Sequence, residues 1–188
     1  YAAAKYACEH WHYSKTVPAG KLVKIGVRET GRYIGVVLFG RGANNRMAGA
    51  FNLGQDQACE LVRVALTTHA TPVTRIVSLA IRFLLSNSKK MRLVISYADP
   101  KQGHFGKIYQ AGNWTYTGRS QPQRELIING KFVHKRSAHA KYKTASPEKI
   151  TAMTGAHVEY APIEWKHTYL YPLDDAMRKQ ILPLSKPY

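Results

Sequence analysis

A short polar and aromatic segment directly after an apolar run holds the residues best suited to chemistry. In SYADPKQGHFGKIYQAGNWTYTG, residues 96–118, a carboxylate, an imidazole and several aromatic rings lie close together in sequence. Asp99 precedes a proline at the end of the predicted strand MRLVISY. We therefore expect its carboxylate at the C-terminal rim of a parallel strand pair, where α/β sheets bind ligands. There it can accept a proton or orient a reacting amine; a turn-forming Asp-Pro is the alternative.

Aromatic side chains follow that carboxylate at short intervals. Tyr109 lies about a turn and a half of helix after His104, and Trp114 and Tyr116 come next. Two interpretations stay open. The rings pack as core, which is the usual place for a tryptophan, or they form a platform on which a nucleic-acid base stacks.

A second group of candidate residues is HWHYSK, residues 10–15. If this segment is extended, His10 and His12 share one face and can bind a metal ion or a phosphate, while Trp11 and Tyr13 point to the other face. Two histidines without a third ligand are weak support for a metal site, and a solvated loop is the favoured alternative.

The Thr-rich link TTHATPVT precedes a predicted helix and is a candidate phosphate site. Free N–H groups and the helix dipole attract anions at a helix start, and we assign Thr74, Arg75 and Ser78 to cofactor binding. The link lacks the glycine pattern that lets a backbone approach a pyrophosphate closely. A capped helix start, with Thr71 before Pro72, is an equally good interpretation.

Basic side chains are concentrated in residues 119–143, which we call the basic belt. Lysine and arginine contact phosphates, so the belt is predicted to bind DNA or RNA; a solvated surface is the alternative. The predicted nucleic-acid contacts are Arg119, Lys131, Lys135, Arg136, Lys141 and Lys143. Arg124 lies in the same stretch and is not assigned a contact.

The overall composition points to the same partner. The 188 residues carry 28 Lys and Arg against 11 Asp and Glu, a net charge of +17, which exceeds what solubility needs and favours a polyanion. Cys8 and Cys59 form no CxxC pair, so neither a disulfide framework nor a Cys-rich zinc site is indicated, and a reducing compartment is expected. No apolar run is long enough for a transmembrane helix, and no secretory signal is visible.

The elements that must position these residues follow from hydrophobic periodicity. A hairpin over residues 22–29 and 33–39 precedes a strand over 60–66. An amphipathic helix over 73–86 and a nearly continuous apolar strand over 91–97 complete a βαβ unit with a right-handed crossover. Further expected elements are a short helix over 103–111, a hairpin over 125–128 and 131–133 with an Asn-Gly turn, a helix from Ser146 to Gly155, a strand over 165–171 and a helix over 173–180.

This order predicts an α/β (α+β) fold with a mixed twisted sheet. We expect one domain over residues 1–188, with a core that holds the active site over 1–125 and a basic C-terminal extension over 126–188 packed on that core. A homodimer stays open, because a basic groove is often completed across a two-fold axis.

The same order of elements resembles the acyl-CoA-dependent N-acetyltransferase (GNAT) fold. More narrowly, HWHYSK, the segment over 96–118 and the tail KHTYLYPLDDAMRKQILPLSKPY resemble the Mom family of phage DNA-modification proteins, with similarity from His10 to the C-terminus. The resemblance implies an enzyme in the cytoplasm of the host bacterium that converts adenine in double-stranded DNA to its N6-carbamoylmethyl (acetamido) form. The modification would protect the phage genome from host restriction.

Roles for individual residues follow from the same resemblance. It places His12, Tyr13, Asp99 and Tyr109 at the active site and Arg63 near the cofactor strand. The Thr-rich link departs from the RxxGxG/A loop of ordinary acetyltransferases, which argues against normal use of acetyl-CoA. Acetyl-CoA, another activated acyl donor and a metal ion held by His10 or His12 all stay open.

The chemistry sets further requirements. N6 of adenine is paired inside a duplex, so the base must be extruded and held against rings, for which the candidates are Tyr13, Tyr97, Tyr109, Trp114 and Tyr116. Simple acyl transfer supplies neither the alkyl carbon nor the amide nitrogen of a carbamoylmethyl group. Two other functions stay open: an acyl-CoA-dependent N-acetyltransferase that acts on a protein or small amine, and a non-catalytic nucleic-acid-binding protein.

Overall fold

The computed structural model describes residues 1–18, 20–41, 47–122 and 124–188, and for Arg136 the backbone alone. The strands in these ranges are β1 (Leu22–Glu29), β2 (Arg32–Gly40), β3 (Ala58–Leu66), β4 (Leu93–Ala98), β5 (Thr115–Arg119), β6 (Leu126–Ile128), β7 (Lys131–Val133), β8 (Val158–Tyr160) and β9 (His167–Pro172). The α-helices are α1 (Ala2–Trp11), α2 (Val73–Asn87), α3 (Lys107–Ala111), α4 (Lys135–Tyr142), α5 (Pro147–Thr154) and α6 (Asp175–Ile181).

Six strands form one mixed sheet in the order β1-β2-β3-β4-β9-β5. β1, β2 and β3 pair antiparallel, β3 and β4 pair parallel, and β9 returns antiparallel to β4. Helix α2 connects the two parallel strands. The predicted α/β class and the βαβ unit are therefore confirmed.

The parallel pair separates after three residues. Pairing runs from Ala58 opposite Leu93 to Glu60 opposite Ile95, whereas β3 continues to Leu66 paired only with β2 on its other side. A register shift in the β2–β3 pair accompanies this point of the strand. In the described residues the backbones of β3 and β4 are thus no longer paired beyond Glu60, where Ser96 Oγ of β4 donates to the Leu61 carbonyl oxygen of β3 instead.

Three apolar clusters hold this sheet. Buried side chains of α2, among them Ile76 and Ile81, pack with aromatic rings of α3, β5 and β9. Helix α1 packs through its alanines and Cys8 against Val36, Leu38 and Ala65 of β2 and β3. Helix α6 packs in a further cluster with residues of β4 and β9. The helices therefore fix the ends of β3 and β4 from several directions.

The chain divides into two compact units. Unit 1 contains residues 1–118 and 167–188, and unit 2 contains residues 119–166. Unit 2 has its own three-stranded sheet in the order β7-β6-β8 and its own buried core of Leu126, Ala138 and Ile150. Strand β9, which lies inside the expected extension over 126–188, belongs to the six-stranded sheet, and the division into a core and an extension stays a prediction. The single domain over 1–188 stays a prediction.

Most of the expected elements are present, and three differences stand out. The basic belt contains helix α4, which the sequence analysis did not predict. The segment around His10 is helical up to Trp11, so the extended arrangement that would give His10 and His12 a common face is wrong. Of the helix expected over 103–111 only α3 forms, after a short 3-10 helix over Pro100–Gln102. No helix in the described ranges is long and apolar enough to cross a membrane.

Candidate active site

His12 follows helix α1 directly and has a defined tautomer. Its backbone is extended, and its Nδ1 accepts a hydrogen bond from the Ser14 N–H at 3.1 Å and lies 2.8 Å from Ser14 Oγ. A backbone N–H can only donate, so Nδ1 carries no proton. A neutral His12 therefore keeps its proton on Nε2, where it is a hydrogen-bond donor.

The surroundings keep that imidazole neutral. Burial, followed by the positive charges of Arg63, His104 and Lys15, lowers the pKa of His12 to about 4. At neutral pH His12 is consequently a neutral donor at Nε2 rather than a cation.

Tyr13 contacts both His12, its neighbour in sequence, and His104, about 90 residues further along the chain. Its ring centroid lies 4.2 Å from that of His12 and 4.9 Å from that of His104, which meets it edge-on. The side chain is 45% exposed. Burial raises the pKa of the Tyr13 phenol, Arg63 lowers it and Asp99 raises it. Tyr13 thus presents a protonated phenol and an accessible ring between Arg63 and Asp99.

Arg63 lies on β3 beyond the point where β4 separates. Its Nη1 donates to the Val62 carbonyl oxygen at 2.9 Å, while its buried Nε has no hydrogen-bond partner in the described part of the chain. Buried donors are nearly always paired. An unpaired guanidinium N–H beside His12 and Tyr13 is therefore suited to a carbonyl or carboxylate oxygen of a ligand.

Asp99 lies immediately after β4, at the predicted rim of the parallel pair. Its carboxylate accepts a hydrogen bond from the Lys101 N–H at 3.0 Å, and its carbonyl oxygen accepts from the N–H groups of Gln102 and His104. The expected rim position and the expected Asp-Pro turn are both observed. The turn returns the chain so that His104 reaches Tyr13.

Tyr109 lies beneath these groups and is held in place. The residue is 9% exposed, and its hydroxyl is 2.7 Å from Ser96 Oγ, which lies 2.9 Å from the Leu61 carbonyl oxygen. Because a carbonyl only accepts, the Ser96 proton is directed to Leu61 and the Tyr109 hydroxyl donates to Ser96. Burial raises the pKa of Tyr109 to about 12. Tyr109 therefore acts as a neutral, fixed phenol that joins β3, β4 and α3.

Two other aromatic residues of the segment over 96–118 are core residues. Trp114 and Tyr116 are both buried, and Trp114 packs against Tyr109 with ring centroids 5.0 Å apart. The Tyr116 hydroxyl lies 2.8 Å from His167 Nδ1. For these two residues the core interpretation is confirmed.

A carboxylate of the protein itself occupies the anion site expected at the start of α2. The N–H groups of Ala70 and Thr71 donate to the Glu29 carboxylate at 3.0 and 2.7 Å, and Thr71 Oγ1 donates at 2.5 Å. The hydrogen bond from the Thr71 side chain, followed by those from the two N–H groups, lowers the pKa of Glu29 to about 2. The N–H groups of the two residues before Pro72, the N-cap of α2, are thus already bound by a carboxylate.

The four predicted cofactor residues do not form one group. Arg63 lies beside His12 and Tyr13, whereas Thr74 and Arg75 lie in the first turn of α2. Ser78 lines a separate cavity of about 290 Å³ between α2, β9 and α6. Arg63 is the member of this set whose charge acts on His12 and Tyr13 in the described part of the chain.

Comparison with known proteins identifies the family. The model of the Mom protein family matches residues 1–188. The chain belongs to the Mom protein family. This is a family of phage DNA-modification proteins, so DNA is the substrate. A comparison with curated protein sequences gives no significant match.

In this Mom protein, unit 2 contains the basic belt. Lys131 is on β7, Lys135 and Lys141 are on α4, and Lys143 follows α4. The Arg119 guanidinium lies 3.9 Å from the centre of the Trp165 ring. The Arg136 side chain lies outside the described residues. The belt thus combines cations with aromatic rings, as a nucleic-acid surface does.

In the ranges that the structure describes, no further metal ligands join the candidate pair His10 and His12. His10 Nδ1 is 2.9 Å from the Tyr6 carbonyl oxygen, and its ring stacks on Tyr6 with centroids 4.0 Å apart. No group of three or more His, Cys, Asp or Glu side chains suited to a metal ion occurs in the ranges that the structure describes.

Two features of this Mom protein had no signal in the sequence analysis. Glu29, the last residue of β1, binds the link before α2 across 42 residues of sequence. Tyr160, an exposed residue of β8, is flanked by Arg124 and Lys135. β8 lies beyond the basic belt in the sequence and pairs with β6 only in the folded chain.

Proposed function

We propose that this Mom protein is an enzyme that attaches a carbamoylmethyl group to N6 of adenine in double-stranded DNA. The observation that carries the proposal is the grouping of His12, Tyr13, Arg63 and Asp99 where β3 and β4 separate. These residues come from three distant parts of the chain. Their mixture of neutral donors, one cation and one carboxylate suits a transfer reaction at an amine.

A GNAT-like fold is part of the proposal. The order on which that resemblance rests, a hairpin, a strand, a crossover helix and a strand, is present as β1–β2, β3, α2 and β4. Asp99 and His104 follow β4 at the rim of the parallel pair, which is the expected place for a ligand.

The site suits an extruded adenine. Tyr13 offers an accessible ring on which a base can stack, with His104 against its edge. Asp99 can accept the N6 proton as the new bond forms. Tyr13 comes before β3 in the chain, and Asp99 and His104 come after β4. In this proposal the extruded base lies among these three side chains.

The bond to be made sets the nature of the donor. N6 forms a bond to an alkyl carbon and loses a proton, while the donor releases its leaving group from that carbon. The donor therefore carries an activated methylene next to an amide carbonyl. Arg63 Nε and His12 Nε2–H are donors that can hold the carbonyl oxygen. Glu29 at the start of α2 repels a pyrophosphate, which favours a donor that does not need one there.

The proposal is tested by mass spectrometry of nucleosides from plasmid DNA of cells that express the protein. The wild type should yield an adenosine heavier by the carbamoylmethyl mass. Asp99→Asn, which keeps the size of the side chain but cannot take up the proton, should abolish it, and Asp56→Asn, a change at an exposed carboxylate of unit 1, should leave it unchanged.

Unmodified adenine from cells with soluble wild-type protein would contradict the proposal. If Asp99→Asn still forms the product, the protein has the proposed activity but Asp99 is not the group that accepts the proton.

A further inference from the structure

Unit 2 contains a cluster of two cations around one exposed aromatic ring, and we infer that this cluster grips the phosphate backbone of duplex DNA. Its members are Arg124, Lys135 and Tyr160, which we call the clamp. The inference rests on the proposed function, in which DNA must be held while one base is extruded. Compared with the basic belt, it adds Tyr160 and the placement of Arg124 and Lys135 around its ring.

The ring of Tyr160 organises the clamp. The Lys135 ammonium lies 5.0 Å and the Arg124 guanidinium 5.8 Å from its centre, both within the range of cation–π attraction. Tyr160 is 42% exposed and pairs with Leu126 at the edge of the three-stranded sheet. The two positive charges are therefore held at a defined, accessible place on the edge strand.

The backbone around the clamp is fixed by Glu125. Its carboxylate accepts a hydrogen bond from the Lys135 N–H at 2.5 Å and lies 3.5 Å from His134 Nδ1, while its carbonyl oxygen accepts from the Ala161 N–H. Glu125 thus ties the start of α4, which carries Lys135, to the strand that follows Arg124 and to the residue after Tyr160. It is a positioning residue, and its charge is engaged with the helix start.

The cationic groups themselves are available to a ligand. Within the described ranges neither Arg124 nor Lys135 forms a salt bridge, and the Tyr160 hydroxyl forms no hydrogen bond. Arginine, lysine and tyrosine are common donors to phosphate oxygens. Because the ring already restricts both cations, less conformational entropy is lost when they bind phosphates.

The test measures binding of a fluorescent 20-base-pair duplex to the full chain by anisotropy over a range of salt concentrations. Arg124→Ala/Lys135→Ala should make the slope of log K against log salt less steep by about 2 and weaken binding about 50-fold at 0.1 M salt. The control Lys21→Ala/Lys89→Ala removes the same charge from exposed positions of unit 1 and should change the slope by much less.

The ring is tested separately. Tyr160→Phe should keep most of the affinity because the cations retain their ring, and Tyr160→Ala should lose about as much as a single cation variant. Thermal unfolding of each variant should match the wild type, since Tyr160 is exposed at a sheet edge.

Equal slopes for the clamp and control variants would overturn the inference. Adenine modification by the wild type is measured in parallel. If the wild type modifies adenine but the clamp variant binds DNA with the same salt slope as the control variant, the clamp is refuted and the proposed function stands. If the clamp variant changes the salt slope but the wild type forms no modified adenine, the proposed function is refuted and the clamp stands.

Discussion

At the scale of single residues, the protonation state of His12 is the property that differs most from the usual role of a histidine in an active site. A histidine in a candidate active site is commonly assigned as a base, but here Nδ1 accepts from Ser14 and the proton stays on Nε2. Burial, and after it the adjacent Arg63 charge, favours this neutral form. His12 is thus suited to donate a hydrogen bond to an oxygen that gains negative charge.

The lowered pKa of His12 predicts a pH effect on stability. The folded pKa is about 4 and the unfolded value 6.5, so between them the unfolded chain binds a proton that the folded chain does not. Stability therefore falls as the pH falls from 7 to 5. In His12→Gln this contribution is absent, and the decrease in Tm between pH 7 and pH 5 should be a few degrees smaller than in the wild type.

The control for this prediction is His10→Gln, at an exposed position on α1. It should show the wild-type decrease in Tm. An identical decrease in wild type and His12→Gln would mean that His12 is not held neutral by the fold.

At the scale of elements, the turn after β4 depends on two glycines with different surroundings. Gly106 has φ +79°, and a Cβ there would overlap the ring of Tyr169. Tyr169 in turn donates from its hydroxyl to the Phe105 carbonyl oxygen at 2.9 Å. Gly103 has φ +69° with open space around it.

These surroundings predict unequal effects of alanine. Gly103→Ala should cost about 1 kcal/mol of unfolding free energy, from the left-handed backbone alone. Gly106→Ala adds a steric clash with a buried ring and should cost about 3 kcal/mol or more. Urea denaturation of both variants measures the difference, and equal midpoints would contradict the packing of Tyr169 against this turn.

The elements that periodicity predicted are those with a strong local signal. The apolar face of α2, the Asn129-Gly130 turn and the Ser146-Pro147 helix start each specify their structure within a few residues. Helix α4 carries no such signal, since among its described side chains Ala138 alone is buried. The sequence of β5, TYTGR, is short, and its burial depends on neighbouring aromatic rings from β9 and α3.

The candidate site was predictable only in part for a related reason. Asp99 could be placed because it follows an apolar strand and precedes proline. The contact between Tyr13 and His104 spans about 90 residues, and the Glu29 contact with Thr71 spans 42. Such pairings depend on how strands are ordered in the sheet, which no local pattern encodes.

At the scale of the whole molecule, unit 2 is an insertion between two neighbouring strands. β5 and β9 are adjacent in the six-stranded sheet, and unit 2 occupies the chain between them. Its two ends meet, because the Ser120 N–H donates to the Lys166 carbonyl oxygen at 2.7 Å and the Lys166 N–H donates to Ser120 Oγ at 3.0 Å. A short connection can therefore replace it.

This arrangement predicts the behaviour of a chain in which a short glycine linker joins Ser120 to Lys166. The six-stranded sheet and its clusters remain complete, so thermal unfolding should stay cooperative. Unit 2 contains nine of the 28 Lys and Arg and four of the 11 Asp and Glu, so most of the net charge remains. If binding depended on net charge alone, affinity for duplex DNA would change little. Because the clamp is lost, we expect affinity at 0.1 M salt to fall at least about 50-fold, with a less steep salt slope. Unchanged affinity would assign the DNA contacts to unit 1.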